Sequence, residues 1–188
     1  MSDQRRASRA TLSKDQLRQI LSISQVDPRL RDLHEIASFI SFTGIRPGEL
    51  QNLCWSNVDV HKNRAFVTSN KVGGHYLAFG AKALQILEAR RGREAEANYV
   101  LGASARMLLN RISRQLSAVG NRIGTSPVSL SVLRKTFIFR LLHSGADVRS
   151  VMILCGYRES YPPSKFLSNR TQIFECAARN LTPLLEEV

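Results

Sequence analysis

The sequence predicts a mainly α-helical domain with a small antiparallel β-sheet, an α+β fold. Apolar residues recur at helical spacing through roughly the first fifty residues and again after residue 80. Between these regions, short runs rich in β-branched and aromatic residues alternate with turn residues, which is typical of strands. Hydrophobic residues make up 43% of the 188, so the chain has enough apolar side chains to bury a core.

The first fifty residues carry start and stop signals for three helices. Ser13 and Gln16 form a capping-box pattern ahead of an apolar stripe, so the first helix is predicted to begin there. Pro28 is placed to start a second helix and Gly44 to end it. Pro47 then starts a short third helix.

The middle of the chain changes to the two-residue period of strands. Asn63 and the pair Gly73-Gly74 mark turns between about three predicted strands. From Ala81 to Arg91 the pattern is helical again. Gly145 and Gly156 are placed to end two later helices. The later helical segments are predicted over roughly 103–119, 129–144, 147–155 and 171–180.

The charge balance predicts a polyanionic partner. Lysine and arginine number 27 against 15 aspartate and glutamate residues, so the net charge at pH 7 is +12. An excess of this size favours nucleic acid first and an anionic membrane surface second. No apolar run is long enough to span a bilayer, and no membrane association is expected. The basic run Arg90–Arg93 is interpreted as a solvent-exposed helix end in preference to a DNA contact.

The cysteine and histidine pattern predicts neither a metal site nor a cofactor. Cys54, Cys155 and Cys176 have no metal-ligand spacing, and the four histidines have none either. An odd number of cysteines, each beside apolar residues, is typical of reduced core thiols. The expected location is therefore the cytoplasm.

Four short segments resemble the conserved boxes of the tyrosine recombinase (phage integrase) family. They are Thr-Gly-Ile-Arg-Pro-Gly-Glu-Leu at 43–50 with the following residues 53–59, Lys71 at a turn, Ser131–Phe137, and Leu154–Tyr157. Each box alone is a weak signal, but the four occur in the family's order and on the expected elements. The resemblance implies a catalytic-domain fold over 11–188, behind a flexible basic arm at 1–10 and without a separate N-terminal core-binding domain. This organisation is similar to that of small fimbrial phase-switch recombinases.

The resemblance also implies roles for individual residues. In that family a tyrosine hydroxyl attacks a DNA phosphodiester and leaves a 3′-phosphotyrosine. By position, Arg46 and Arg134 would hold the non-bridging phosphate oxygens through charge-assisted bonds, and Lys71 would protonate the leaving 5′-oxygen. His75 and Lys135 are further candidate contacts to double-stranded DNA. From the residues alone, each of these side chains is also compatible with an ordinary solvent-exposed position.

Three positions depart from the family's pattern. Ser131 stands where the family usually has a histidine, and a serine cannot act as an acid or base near neutral pH. Tyr157 replaces a second histidine or tryptophan, although its hydroxyl can still reach a phosphate oxygen. Phe166 lies nine positions after Tyr157, where the family has its nucleophilic tyrosine. Without that hydroxyl, covalent catalysis has no first step.

Several functions are compatible with these departures. The first is a DNA-binding protein with a degenerate active site, acting as a regulator, an architectural factor or a competitor at recombination sites. The second is an active site-specific recombinase in which Phe166 has been substituted for the nucleophile, and the third is a protein-interaction module that keeps only the scaffold. Tyr157 or Tyr161 as a displaced nucleophile is a further alternative. In the family the C-terminal segment often docks on a neighbouring subunit, so this segment is expected either to form a homo-oligomer in that way or to fold back on its own domain. Another recombinase is a further expected partner.

Overall fold

A computed structural model describes most residues between positions 11 and 157. The described residues are 11–69, 73–93, 97–125 and 127–157. The predicted basic arm and the predicted helix over 171–180 lie outside the described residues.

In the described residues, three α-helices precede the sheet: α1 (Lys14–Val26), α2 (Arg31–Thr43) and α3 (Pro47–Gln51). Helix α1 begins at the predicted capping box, in which Ser13 Oγ accepts a hydrogen bond from the Gln16 backbone N–H at 3.1 Å and Gln16 Oε1 accepts one from the Ser13 N–H at 2.9 Å. The prediction that Pro28 starts the second helix is corrected. It starts a single 3₁₀ turn, Pro28–Leu30, and α2 follows directly after that turn.

The sheet has three antiparallel strands in the order in which they occur in the chain, which confirms the prediction. They are β1 (Val58–Asp59), β2 (Arg64–Ser69) and β3 (Gly73–Ala78). Asn63 has a φ of +50° and forms the predicted turn before β2. In the β2–β3 pair, Val67 lies opposite His75. That register places His75 on the face of the hairpin that is turned toward helix α3.

Up to residue 157, the described chain has four further helices after the sheet: α4 (Ala81–Arg91), α5 (Ala105–Arg122), α6 (Leu130–His143) and α7 (Val148–Leu154). The bounds of α4 match the prediction, and those of the other three differ from it by one to three residues at each end. In the part of the chain that the structure describes, none of the helices combines the length and apolar character that a membrane crossing requires.

The apolar residues form two clusters. The larger one joins α1, α2, α4 and α5 to one face of the sheet, with Ile20, Leu33, Ile40, Leu77 and Ile112 fully buried. The smaller one packs α6 and α7 against β3, through the buried residues Ala78, Phe137, Leu141, Val151, Ile153, Leu154 and Cys155. The turn between α2 and α3 lies between the two clusters, because Gly44 is packed against the ring of Phe137.

The interpretation of Arg90–Arg93 as an exposed helix end is wrong for Arg90, which is 4% exposed. Arg90 Nη1 lies 2.9 Å from Glu35 Oε2 and 3.3 Å from Asp32 Oδ1, and its Nε donates to the Val100 carbonyl at 3.1 Å. Arg111 on α5 binds the other oxygen of Asp32 at 2.6 Å. These ion pairs link α4 and α5 to the start of α2.

We expect Gly44→Ala to destabilise the fold strongly. Gly44 has a φ of +65°, where an L side chain is strained, and an added Cβ would overlap with the buried Phe137 ring. The two effects together predict a loss of about 2–4 kcal/mol of unfolding free energy, measured by urea denaturation.

Gly48→Ala provides the matched control for this prediction. A Cβ at Gly48 meets no atom within 4 Å, and its φ is not in the left-handed region. Because Gly48 lies inside α3, the alanine should change stability little or raise it by about 0.5–1 kcal/mol. Equal effects of the two substitutions would contradict the packing described here.

Candidate functional site

The fold brings three of the predicted site residues together. Arg46 is the N-cap residue of α3, Arg134 lies in the second turn of α6, and Tyr157 follows the end of α7. The guanidinium carbon of Arg46 lies 5.4 Å from the centroid of the Tyr157 ring, and that of Arg134 lies 5.3 Å from it. Two cations from separate elements therefore lie within cation–π distance of one aromatic ring.

The backbone at the end of α7 holds both guanidinium groups. Arg134 Nη2 donates to the Cys155 carbonyl at 2.8 Å, and Arg46 Nη2 donates to the Gly156 carbonyl at 3.0 Å. Arg134 Nη1 also donates to the Gly44 carbonyl in the α2–α3 turn. The last carbonyls of a helix lack helical partners and carry partial negative charge, so they are suited to bind cationic donors.

Gly156 makes this arrangement possible. Its φ of +65° ends α7 in a Schellman motif, in which the Tyr157 N–H donates to the Met152 carbonyl at 2.9 Å and the Gly156 N–H to the Ile153 carbonyl at 3.0 Å. A Cβ at Gly156 would overlap with the imidazole ring of His75 on β3. Gly156 is therefore required both by the backbone conformation and by the close approach of His75.

Glu49 is a site residue that the sequence analysis did not single out. Its side chain is 1% exposed. Glu49 Oε1 accepts from Arg46 Nη1 at 2.5 Å, and Oε2 accepts from the Arg46 backbone N–H at 3.0 Å. The signal in the sequence is the position of Glu49 three residues after the N-cap of α3, as in a capping box. Glu49 fixes both the backbone and the guanidinium of Arg46.

The charges of the site favour an anion. Arg46, Arg134 and Glu49 together carry one net positive charge, and the Arg134 residue is only 7% exposed. Each arginine uses two of its five N–H donors in the protein bonds described above. The guanidinium groups are thus held in place while most of their donors are not used by those bonds. Such a pair can bind a tetrahedral oxyanion, such as a phosphate, through charge-assisted hydrogen bonds.

Comparison with known proteins decides the family. Residues 10–161 match the phage integrase family. The chain belongs to the phage integrase family.

Sequence matches to individual proteins agree with this family assignment. It is 29% identical over 160 residues to a XerC tyrosine recombinase of Bacillus pumilus, and the match covers 78% of this chain and 52% of that protein. The chain spans about half the length of the curated relatives it matches.

Solved structures show the same fold. The crystal structure of XerA recombinase superposes with a TM-score of 0.66 at 24% identity, covering 94% of this chain and 65% of that one. A DNA-bound structure of lambda integrase gives a TM-score of 0.61 at 17% identity, covering 86% and 61%. The predicted fold class and the resemblance to tyrosine recombinase catalytic domains are therefore confirmed.

The remaining predicted site residues of this phage integrase family member are placed differently. Ser131, about one turn before Arg134, and Lys135, the residue directly after it, are both exposed on α6. The side chain of His75 is 8% exposed, so the alternative of a solvent-exposed strand histidine is wrong. A solvent-exposed position is also wrong for Arg134, which is buried. Lys71, Tyr161 and Phe166 lie outside the described residues.

Cys155 is buried beside the arginines. Burial raises the pKa of the Cys155 thiol to about 11, although the positive charges of Arg134 and Arg46 oppose that rise. The thiol is therefore neutral at physiological pH and adds no charge to the site.

We expect Cys155 to resist alkylation in the folded protein. With a pKa of about 11, roughly one thiol in a thousand is ionised at pH about 8, and burial excludes the reagent as well. Cys54, which is partly exposed, is the internal comparison. Iodoacetamide treatment followed by peptide mass mapping should label Cys54 first and Cys155 only after unfolding. Labelling of both at one rate in the folded protein would contradict this site geometry.

Proposed function

We propose that this chain is a DNA-binding protein that holds a backbone phosphate of double-stranded DNA between Arg46 and Arg134 and does not cut DNA while residue 166 is phenylalanine. The observation that carries the proposal is the fixed pair of guanidinium groups around Tyr157, in a site with net positive charge. The net charge of +12 supports a polyanionic partner. Two of the similar structures, lambda integrase and the Tn1549 integrase, are complexes with DNA.

Each site residue has a proposed part in phosphate binding. Arg46 and Arg134 donate to the non-bridging oxygens, and the Tyr157 hydroxyl supplies one further hydrogen bond. Ser131 and Lys135, exposed on α6 near Arg134, contact the neighbouring backbone. We assign Lys71 to the phosphate site on the basis of the family resemblance alone.

The same proposal covers the organisation of the protein. Residues 11–188 form the DNA-binding domain and 1–10 a basic arm, and the protein acts in the cytoplasm as a regulator, an architectural factor or a competitor at recombination sites. Its C-terminal segment docks on a second copy or on another recombinase. Phosphate contacts carry no sequence information, so target selection requires contacts in addition to this site.

We expect the arginine pair to account for much of the DNA affinity. Arg46→Ala and Arg134→Ala each remove a charge-assisted phosphate contact and should weaken binding by about 1.5–3 kcal/mol. The measurement is fluorescence anisotropy with a labelled duplex of mixed sequence over a salt series, in which affinity should fall by orders of magnitude between low and physiological salt. Thermal unfolding of each variant checks the fold.

Arg29→Ala is the charge-matched control for these variants. The Arg29 side chain is 89% exposed and pairs with Asp27 beside it, so its loss removes one positive charge without touching the site. It should weaken binding far less than either site variant. Normal binding by a folded Arg46→Ala/Arg134→Ala double variant, or a salt-independent affinity, would overturn the proposal.

The second candidate function is an active recombinase in which phenylalanine replaces the natural nucleophile at position 166. The observation that supports it is the fixed arrangement of Arg46 and Arg134 beside Tyr157, in which Glu49 holds Arg46. A natural protein that binds DNA without cleaving it needs phosphate binding as well. The two candidate functions therefore have to be distinguished by whether a tyrosine at position 166 supports DNA cleavage.

We expect no covalent protein–DNA adduct from the unmodified sequence on nicked suicide substrates, analysed on denaturing gels. Phe166→Tyr restores a hydroxyl but leaves Ser131 and Tyr157 in place of two transition-state donors, and loss of one such donor costs about 10²–10³ in rate. Weak cleavage at most is therefore expected. Rapid cleavage by Phe166→Tyr would favour the second candidate. An adduct formed without the substitution would point to Tyr157 or Tyr161 as the nucleophile.

A further inference from the structure

His75 occupies the contact between the hairpin and the phosphate site. It lies on β3 opposite Val67 of β2, and its imidazole ring packs on Gly156, the residue whose carbonyl accepts from Arg46. The side chain is 8% exposed, so protein atoms rather than solvent surround it. A residue enclosed in this way is poorly placed to touch DNA directly but is well placed to act on the residues that do.

A charged neighbour of His75 is the carboxylate of Glu49, which fixes Arg46. His75 Nδ1 lies 3.9 Å from Glu49 Oε1, and the same oxygen accepts from Arg46 Nη1 at 2.5 Å. Because Glu49 is buried, its charge is weakly screened by solvent. A proton on His75 would therefore place a second cation beside the oxygen that Arg46 binds.

The groups around this imidazole come from three described elements besides its own strand. Helix α3 contributes Glu49, which lies 3.9 Å from Nδ1, and the end of α7 contributes Gly156, on which the ring packs. Arg46 and Arg134 from α3 and α6 bind the Gly156 and Cys155 carbonyls, and Cys155 and Tyr157 are the chain neighbours of Gly156. Burial keeps the Cys155 thiol neutral. Protonation of His75 adds one positive charge to a site in which the described residues Arg46, Arg134 and Glu49 already carry a net charge of +1. The added cation is unfavourable in the empty site and favourable beside a phosphate.

We propose that His75 is a positioning residue of the phosphate site and that its protonation strengthens phosphate binding. The added charge attracts the phosphate, and it competes with Arg46 for Glu49, which releases Arg46 donors toward the ligand. Phosphate and proton then bind with positive linkage, and each favours the other. The inference rests on the proposed function, because it assumes that the site binds a DNA phosphate.

The test is the pH profile of DNA binding by the full chain, with a labelled duplex of mixed sequence at constant ionic strength. A histidine side chain ordinarily titrates near pH 6.5, so the measurements compare pH about 6 with pH about 8. The unmodified protein should bind about three- to tenfold more tightly at the lower pH. His75→Asn keeps a polar nitrogen near the position of Nδ1 but cannot be protonated. Whatever its affinity at pH about 8, the affinity of this variant should change less than about twofold between pH about 8 and pH about 6.

His61→Gln is the control for the other histidines, because His61 is exposed in the turn before β2. This variant should keep the pH profile of the unmodified protein. Should His75→Asn unfold, His75→Gln replaces it in the same comparison, with circular dichroism as the check of the fold. A neutral, folded variant that keeps the full pH response overturns the inference. If no duplex binds at either pH and low salt, the proposed function itself fails, so the two failures are distinguishable.

Discussion

The backbone carbonyl oxygens at the end of helix α7 are the constraint on which the candidate site depends. Two guanidinium groups around one ring would repel each other and lose hydration unless acceptors faced them. The Cys155 and Gly156 carbonyls provide those acceptors, one to each arginine, and the helix end adds favourable partial charge. The left-handed Gly156 ends the helix at the point where both oxygens remain available, so the conformation of one residue determines where both cations lie.

The packing of the smaller apolar cluster keeps that helix end in place. Phe137 and Leu141 of α6 and Val151 and Leu154 of α7 are buried together, so the helix that carries Arg134 is packed against the helix that accepts from it. Gly44 lies against Phe137 and offers its own carbonyl to Arg134 from the other side. Core packing and site geometry are therefore continuous here, and a change in the volume of Phe137 would move both.

Structural features that depend on residues close together in the sequence could be predicted correctly. The capping box at Ser13, the turn at Asn63 and the bounds of α4 depend on local backbone preferences, and the structure has all three. The element that Pro28 starts could not be predicted, because a proline suits the first turn of an α-helix and of a 3₁₀ helix alike. The hydrogen bond from the Arg31 N–H to the Pro28 carbonyl makes this segment a 3₁₀ turn.

The residues that were misplaced or missed depend on contacts between distant segments. Arg90 looked like a solvent-exposed charge because its partners, Asp32 and Glu35, lie in a different helix. His75 is buried because the end of α7 packs against it. The sequence around β3 carries no information about where α7 ends in space, so this burial could not be predicted. The family boxes named Arg46 and Arg134, but the carboxylate and carbonyls that orient them emerged only from the three-dimensional arrangement.

The use of main-chain oxygens as acceptors bears on how such a site tolerates evolutionary drift. A side-chain acceptor disappears with one substitution, whereas the carbonyls of Gly44, Cys155 and Gly156 persist through any change that preserves the path of the backbone. Besides the two arginines and Glu49, selection then has to retain the glycine conformations and the packing beneath them. The reactive side chains around these backbone carbonyls are free to diverge. A lineage that loses its catalytic chemistry therefore keeps the arrangement of two arginines, which can be used for another function.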